Sequence, residues 1–597
     1  MLTQLLAQAE PARGAPTEDL IPASIVAVIL SLLVVAVTLG HRSGRLKTLA
    51  RIGAFSERVS GLPAWAAVPA AVVATSLIVA AFGFYWDVST HIDNGRDEGP
   101  FANPAHWFIL VGLGGIALAG MLAVIIGTDD DQEQAVRIAP DWPVPVGGVL
   151  LVLCGTIALL GFPLDDVWHR LFGQDVTMWG PTHIQMIAGA SLATLACWVL
   201  TLEGLRSADS DRARRTVRLT EPFLAGAFLI GLSTMQGEFD FGVPQFRLLF
   251  HPVLLALAAG MALVVARIRL GRGGALAAVA FFIAFRGALA LIIGPGLGRS
   301  LPHFPLYLVE AAAVEVIALR VPRDRQLTLG LWSGLAVGTV GVAAEWLWSH
   351  LWMPIPWPSS LLPEAAVLGV VAGIAGGVIG GLIGRALAPA ASRQPVPRRT
   401  GAVAGAAAVV CLAVPLPMSA PSGTTAEVTL RDFDRGPDRT VEATITVDPA
   451  EVADGAEWFT VTAWQGAEWK DRDVVIDHLE RVDERTWRTT EPIPVHGNWK
   501  AIVRLHHGST LAAMPIFMPE DEAIPAEEVR AYATFTRAFV SDKELLQREQ
   551  TGGSLWLEWA AYLTILAIAV AWVASIAWGL GRLQHMRPQS RQLAEAR

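Results

Sequence analysis

The residues best suited to chemistry in this chain are a duplicated set of carboxylates and histidines. The same pattern, Asp-x3-His followed by Pro-x-His, occurs twice. An aspartate and a histidine one helical turn apart project from the same helix face. One carboxylate and two imidazoles are a common ligand set for a divalent transition metal, and they leave positions open for water, oxygen or substrate. The sequence therefore predicts two metal sites, formed by Asp87, His91 and His106 and by Asp165, His169 and His183.

Each copy of the pattern lies at the end of one apolar segment and the start of the next, within repeats at 80–127 and 158–203. Two helix ends and a polar loop are thus expected to bring the three side chains of a copy together. The alternative is that these residues cap helices and face water. Ionisable groups at a membrane boundary are costly unless they are paired or ligated, and their duplication favours the metal interpretation.

The elements that carry these residues belong to a membrane protein. The chain has 597 residues, of which 53% are hydrophobic and only 17% charged, with a mean hydropathy of +0.46. This composition is too apolar for water-soluble domains and predicts a bilayer as a partner. The net charge of −9 and the absence of a nucleic-acid-binding motif exclude a basic nucleic-acid binder.

A polytopic α-helical fold with about 13 spans is expected. Apolar segments long enough to cross about 30 Å of hydrocarbon fall near 22–40, 62–86, 106–127, 145–163, 183–203, 219–235, 249–267, 274–294, 305–320, 327–349, 364–386, 400–417 and 555–580. Alternate loops carry basic clusters, as at 42–51 and 206–218, whereas the opposite loops hold at most one arginine each. The positive-inside rule then predicts a cell-membrane protein with its N-terminus outside and its C-terminus cytoplasmic.

The sequence pattern changes near residue 420, where short segments of alternating apolar and polar residues are separated by turn residues such as Asp454-Gly455. This pattern predicts an extracytoplasmic β-sandwich, followed by an amphipathic helix near 526–548. The predicted organisation is an external segment (1–21), a helical bundle (22–418), the β domain with its helix (419–550), a last span (551–580) and a cytoplasmic tail (581–597).

The two motifs resemble those of a metal-binding membrane subunit of the particulate methane and ammonia monooxygenases, a family of membrane-bound copper enzymes. The resemblance covers roughly residues 80–200, and the second copy has Asp165 where that family has asparagine. It implies copper at both sites, with zinc and iron suited to the same donors. It also implies oxidation of a small apolar molecule by O₂, and additional membrane subunits or a homo-oligomer. Tryptophan and phenylalanine side chains near the motifs are expected to shape an apolar pocket. Four tryptophans flank the motifs and either line that pocket or lie in the aromatic belt at the membrane interface: Trp86, Trp107, Trp168 and Trp179.

Two other functions are compatible with the same sequence. A transition-metal transporter or metal-delivery protein would use the repeated motifs as steps along one path. Arg286 in one span and Glu310 and Glu315 in the next are then either part of that pathway or a structural charge pair. In the third interpretation, the spans form a scaffold that presents the external β domain to a partner.

Overall fold

The computed structural model describes residues 14–585, except 97–98, 129–134, 175–176, 209, 389–395, 398, 467–473, 525 and 551–552. Residues 1–13 of the predicted external segment and 586–597 of the predicted tail lie outside the described residues. All structural statements below concern the described residues.

Helices make up the part of the chain before the β domain. They are α1 (Thr17–Arg42), α2 (Thr48–Ser60), α3 (Ala64–Asn94), α4 (Pro104–Ile126), α5 (Val146–Phe172), α6 (Pro181–Ala208), α7 (Asp211–Ser233), α8 (Phe250–Leu270), α9 (Gly274–Leu291), α10 (Leu308–Ala318), α11 (Gln326–Ala336), α12 (Val342–Leu351), α13 (Leu362–Leu387) and α14 (Thr400–Ala413). Two π-helical turns, Ile292–Gly296 and Val337–Gly341, extend α9 and join α11 to α12. A small hairpin precedes α5, made of β1 (Val136–Ala139) and β2 (Trp142–Val144).

Ten described helical segments are long and apolar enough to cross a membrane, so the chain is a polytopic helical membrane protein. The ten coincide with ten of the thirteen predicted spans. The other three predicted spans fall on helices that do not meet both criteria. The helix α7 begins with a charged turn at Asp211, while α10 and α14 have only 11 and 14 residues.

Neighbouring helices of the two repeats pack in the same way, α3 on α4 and α5 on α6, and α4 packs on α5 to join them. Glycines allow this close packing. A Cβ atom at Gly83 on α3 would lie 2.7 Å from the backbone nitrogen of Ile109 on α4. At the matching position of the second repeat, a Cβ at Gly161 would lie 2.6 Å from the Met186 side chain. Each glycine is one helical turn before the aspartate of its motif, so the helices pack closely next to the ligands.

Two antiparallel sheets follow α14. Their strands are β3 (Thr425–Asp434), β4 (Thr440–Asp448), β5 (Trp458–Trp464), β6 (Val475–His478), β7 (Glu480–Arg481), β8 (Thr486–Arg488), β9 (Ile493–Pro494), β10 (Lys500–His507), β11 (Thr510–Phe517), β12 (Thr534–Ala538) and β13 (Val540–Ser541). One sheet has the order β13-β11-β10-β5-β6 and the other β12-β3-β4-β8-β7, with β9 paired to β4. Inward side chains of both sheets, including Val428 and Val503, share one hydrophobic core.

The predicted amphipathic helix over 526–548 is wrong. Residues Thr534–Ala538 pair with β3 as an edge strand, with Thr534 opposite Thr429. Only a short helix, α15 (Asp542–Leu546), follows before the last long helix, α16 (Leu555–His585). The alternation of Thr534, Phe535 and Thr536 suits a half-buried strand, and the free edge of β3 outweighs the helical preference of the flanking residues.

The β domain and the described N-terminal end both contact the bundle on the side of the two motifs. The backbone N–H of Gln465, just after β5, donates to the carbonyl of Ile92 at the end of α3. The backbone N–H of Ala15 donates to Asp166 beside the second motif at 2.5 Å. The start of α1, the β domain and both motifs therefore share one side of the bundle.

Candidate metal sites

The first triad is built at the junction of α3 and α4. Asp87 and His91 lie in the last two turns of α3, and His106 lies in the first turn of α4. The Nε2 atoms of His106 and His91 are 2.9 and 3.5 Å from Oδ1 of Asp87. The amide of Asn103, which also caps α4, donates to the same carboxylate oxygen at 2.6 Å. The structure thus brings together all three predicted residues of this triad.

Backbone carbonyls fix the orientation of both rings in the first triad. Nδ1 of His91 is 2.9 Å from the carbonyl oxygen of Gly95, and Nδ1 of His106 is 2.9 Å from that of Pro100. A carbonyl oxygen only accepts, so each Nδ1 must carry the hydrogen and donate it. Such hydrogen bonds fix the tautomer of ligating histidines in metalloproteins and leave Nε2 for the ion.

The second triad repeats this arrangement at the junction of α5 and α6. The Nε2 atoms of His183 and His169 are 3.3 and 3.7 Å from the Asp165 carboxylate. Thr182 donates its hydroxyl to Asp165 at 2.5 Å, and Nδ1 of His183 donates to the Thr177 carbonyl oxygen at 2.6 Å. The buried Nε2 of His169 has no hydrogen-bond partner among the described residues. In each triad, one donor atom from each residue lies within 4.8 Å of the others.

Where Nδ1 carries the hydrogen, as in His91, His106 and His183, the donor set of a triad calls for a positive charge at its centre. An unprotonated Nε2 directs a lone pair at a carboxylate oxygen that also carries only lone pairs. Either a proton on each imidazole or a shared metal ion relieves this repulsion, and the side chains are only 16–23% exposed, so water screens it weakly. One carboxylate and two Nε2 atoms on a common centre fit a transition metal ion.

Both triads line the same cavity. It has a volume of about 640 Å³ and apolar walls for most of its length, and Trp464, Gln465 and Leu546 of the β domain line its outer end. Phe162, three residues before Asp165, also lines it, and its ring centroid lies 6.1 Å from that of His106. The two triads are therefore neighbours that open into one apolar space.

The predicted tryptophan lining is wrong, because none of the four flanking tryptophans is among the described residues that line this cavity. Trp107 is 48% exposed on the outer face of α4. Trp168 packs on Phe172, with ring centroids 4.2 Å apart, and Trp179 packs on Phe250. For the three tryptophans adjacent in sequence to a ligand, helix periodicity explains the difference, since such neighbours point about 100° away from the ligand. Phenylalanines do line the cavity, as predicted, among them Phe84, Phe162, Phe223, Phe281 and Phe285.

Two residues that support the triads were not predicted. Glu238 is buried and accepts from the Thr177 hydroxyl at 2.6 Å and from the backbone of Met178 at 3.1 Å, which holds the carbonyl that orients His183. Gln465 donates its side-chain amide to the His91 carbonyl at 3.2 Å. Each is distant in sequence from the triad it supports, so no local pattern indicated either role.

The charges Arg286, Glu310 and Glu315 do not pair with one another in the described part of the chain. Arg286 is fully buried and binds Asp240, with Nη2 to Oδ2 at 2.9 Å. Glu315 binds Arg267 at 2.9 Å near the other end of the bundle. The predicted pairing of Arg286 with Glu310 or Glu315 is therefore wrong, and the buried partner of Arg286 is Asp240, from the loop after α7.

No protein-family model matches this chain, and searches of curated proteins and of solved structures find no significant match.

Proposed function

We propose that this chain is a membrane metalloprotein that binds one transition metal ion at each Asp-His-His triad. The observation that carries the proposal is the pairing of Nε2 atoms with a carboxylate while Nδ1 donates to a backbone carbonyl, as in His106, Asp87 and Pro100. This arrangement orients three lone-pair donors at one point.

We further propose that the metal is copper and that the protein oxidises an apolar molecule with O₂. The resemblance of the motifs to those of the copper monooxygenases supports the metal, and the apolar cavity supports the substrate class. A bound copper ion would supply O₂ activation. The reaction RH + O₂ + 2e⁻ + 2H⁺ → ROH + H₂O needs an electron donor from outside this chain. The residues of the chain hold the ion, exclude water from the cavity and position the substrate.

The cavity walls favour this function over metal transport. In the half of the cavity that lies away from the triads, hydroxyl groups donate to helix carbonyls: Thr201 to Cys197 at 2.8 Å and Thr216 to Ser60 at 2.7 Å. Among the described residues that line this half of the cavity, there is no carboxylate, and the one cysteine is Cys197, whose thiol is buried. No series of metal ligands therefore continues from the triads across the membrane. A transported cation would need successive ligands across the membrane.

The proposed topology places the triads and the β domain, as a β-sandwich, outside the cell and the C-terminus in the cytoplasm. The basic clusters lie in loops opposite the triads, as the positive-inside rule requires. Contacts of Ala15 and Gln465 at the triad side are consistent with an external N-terminus. The three shorter or more polar helices, α7, α10 and α14, would complete a count of about 13 crossings.

The test uses the full-length protein in lipid nanodiscs, loaded with Cu, Zn or Fe(II). We expect two ions per chain in the wild type, one in His91→Ala and in His169→Ala, and two in the control His350→Ala, which lies outside both triads. Copper-loaded protein given a chemical reductant should consume O₂. The same protein is also reconstituted into sealed lipid vesicles. Metal uptake into these vesicles without O₂ consumption would replace the oxygenase proposal with transport, and alanine variants with full metal content would overturn both.

A further inference from the structure

The cavity extends far beyond the triads, along nearly the whole length of the bundle. On α6 its lining runs from His183 at the triad end to Thr201 near the other end. Eighteen residues of helix span about 27 Å at 1.5 Å per residue. This length is close to the thickness of the hydrocarbon layer, about 30 Å. A small apolar substrate would fill only a small part of this cavity.

The length of the cavity indicates the shape of its ligand. The volume is about 640 Å³, and the lining residues follow α6 over about 27 Å. A ligand that reaches from the triads to Thr201 must be extended, and the apolar wall favours a hydrocarbon chain.

The polarity of the wall changes along its length. Hydroxyl groups of the inner two thirds are turned to the backbone, as Thr194 donates to the Ser191 carbonyl at 2.6 Å and Ser191 to that of Gly231 at 2.9 Å. Polar groups facing the space are concentrated at the triad end, where Glu238 and Gln465 join the six triad residues. An apolar chain with one end at the triads matches this distribution.

Two exposed residues of the cavity lining indicate a lateral entrance from the bilayer. Ile78 in the middle of α3 and Phe223 in the middle of α7 line it, yet they are 53% and 56% exposed. Phe281 of α9 packs on Phe223, with ring centroids 5.3 Å apart, and forms the same edge of the opening. A ligand dissolved in the hydrocarbon layer can enter here without passing through water.

We propose that the substrate is a membrane-resident molecule with an extended hydrocarbon chain, which enters between α3 and α7 and places one end at the triads. A fatty-acyl chain and an isoprenoid chain both meet this description. The inference deepens the proposed function by naming its substrate class, and it rests on that function for the reaction but not for chain binding.

The probe is 1-hexadecanol carrying a photoreactive diazirine at mid-chain, added to the full-length protein in phosphatidylcholine nanodiscs. After irradiation, we expect adducts on α6 around Ala190, which lines the middle of the cavity, and at least a tenfold loss with excess unlabelled hexadecanol. Labelling of the lipid-facing α1 serves as an internal reference that this competitor leaves unchanged. Replacing the competitor with farnesol distinguishes an isoprenoid from an acyl chain, and competition by either supports the proposal.

The variant Ala190→Trp fills the cavity and should lose α6 labelling at least tenfold while binding two metal ions. The matched control Ala406→Trp, on the exposed face of α14, should label like the wild type. Labelling is repeated on chelator-treated protein. If the hydrocarbon probe still labels α6 without metal, this inference holds even where the metal proposal fails. Uncompeted adducts spread over all lipid-facing helices, or unchanged labelling in Ala190→Trp, would overturn the inference.

Discussion

Glu238→Gln provides a selective perturbation of the second triad. One carboxylate oxygen of Glu238 accepts from Thr177 and Met178, and the other accepts from the backbone N–H of Gln245 at 3.0 Å. A glutamine amide keeps only one acceptor oxygen, so an NH₂ group would face the Gln245 N–H. A buried donor left without an acceptor costs about 1–3 kcal/mol.

This cost falls on the segment whose Thr177 carbonyl orients His183. Loss of such a supporting contact typically lowers metal affinity by about 10–100-fold, which corresponds to about 1.4–2.7 kcal/mol. We therefore expect Glu238→Gln to weaken one of the two metal sites by that factor and to leave the other unchanged. The assay is equilibrium competition with a chelator of known affinity. Glu364→Gln, at an exposed carboxylate outside the triads, is the control.

A double variant tests the physical reason. In a His183→Ala background, which should keep only the ion of the first triad, Glu238→Gln should leave the affinity for that ion unchanged. A loss of affinity there would refute the reasoning, because it would show a general effect on the fold. Unchanged affinity in the single variant would refute it as well.

Packing and charge elsewhere in the chain give three more expectations. Gly83→Ala places a methyl group against the backbone of Ile109 and should weaken metal binding at the first triad alone, as measured by chelator competition. Asp542→Ala leaves the buried Arg504 guanidinium without its bidentate partner and should lower unfolding stability by about 3–5 kcal/mol, measured by denaturant titration; a loss below about 1 kcal/mol would contradict this. Burial lowers the pKa of His506 to about 3, so the unfolded chain binds a proton that the folded chain does not, and stability should fall as pH drops from about 6.5 towards 3. His506→Phe should flatten that part of the stability profile; an unchanged profile would refute the assignment.

Local spacing explains why the triads could be predicted from the sequence. An Asp-x3-His pair needs only a helix to share a face, and Pro-x-His at the start of the next apolar segment places the third residue a short loop away. The same reasoning located the ten long helices, because a helix needs about 20 apolar residues to cross the hydrocarbon layer. These features depend on contacts between residues close in the chain.

Other features depend on partners that are distant in sequence. Arg286 binds Asp240 because the loop after α7 folds back into the bundle, which no spacing in the sequence indicates. Thr534 belongs to a strand because the edge of β3, far earlier in the chain, is free to pair. Gln465 reaches His91 only because the β domain lies on the triad side of the bundle. Tertiary packing decided each of these, and local propensity did not.

Anomalous X-ray scattering at the metal edge, measured on crystals of the copper-loaded full-length protein, tests metal binding at the triads most directly. We predict two peaks, one between Asp87, His91 and His106 and one between Asp165, His169 and His183, with Nε2 atoms about 2.0–2.1 Å from the ion, as is usual for imidazole ligands. Protein that is loaded with copper but shows no peak at either triad, or peaks only elsewhere, would contradict this prediction.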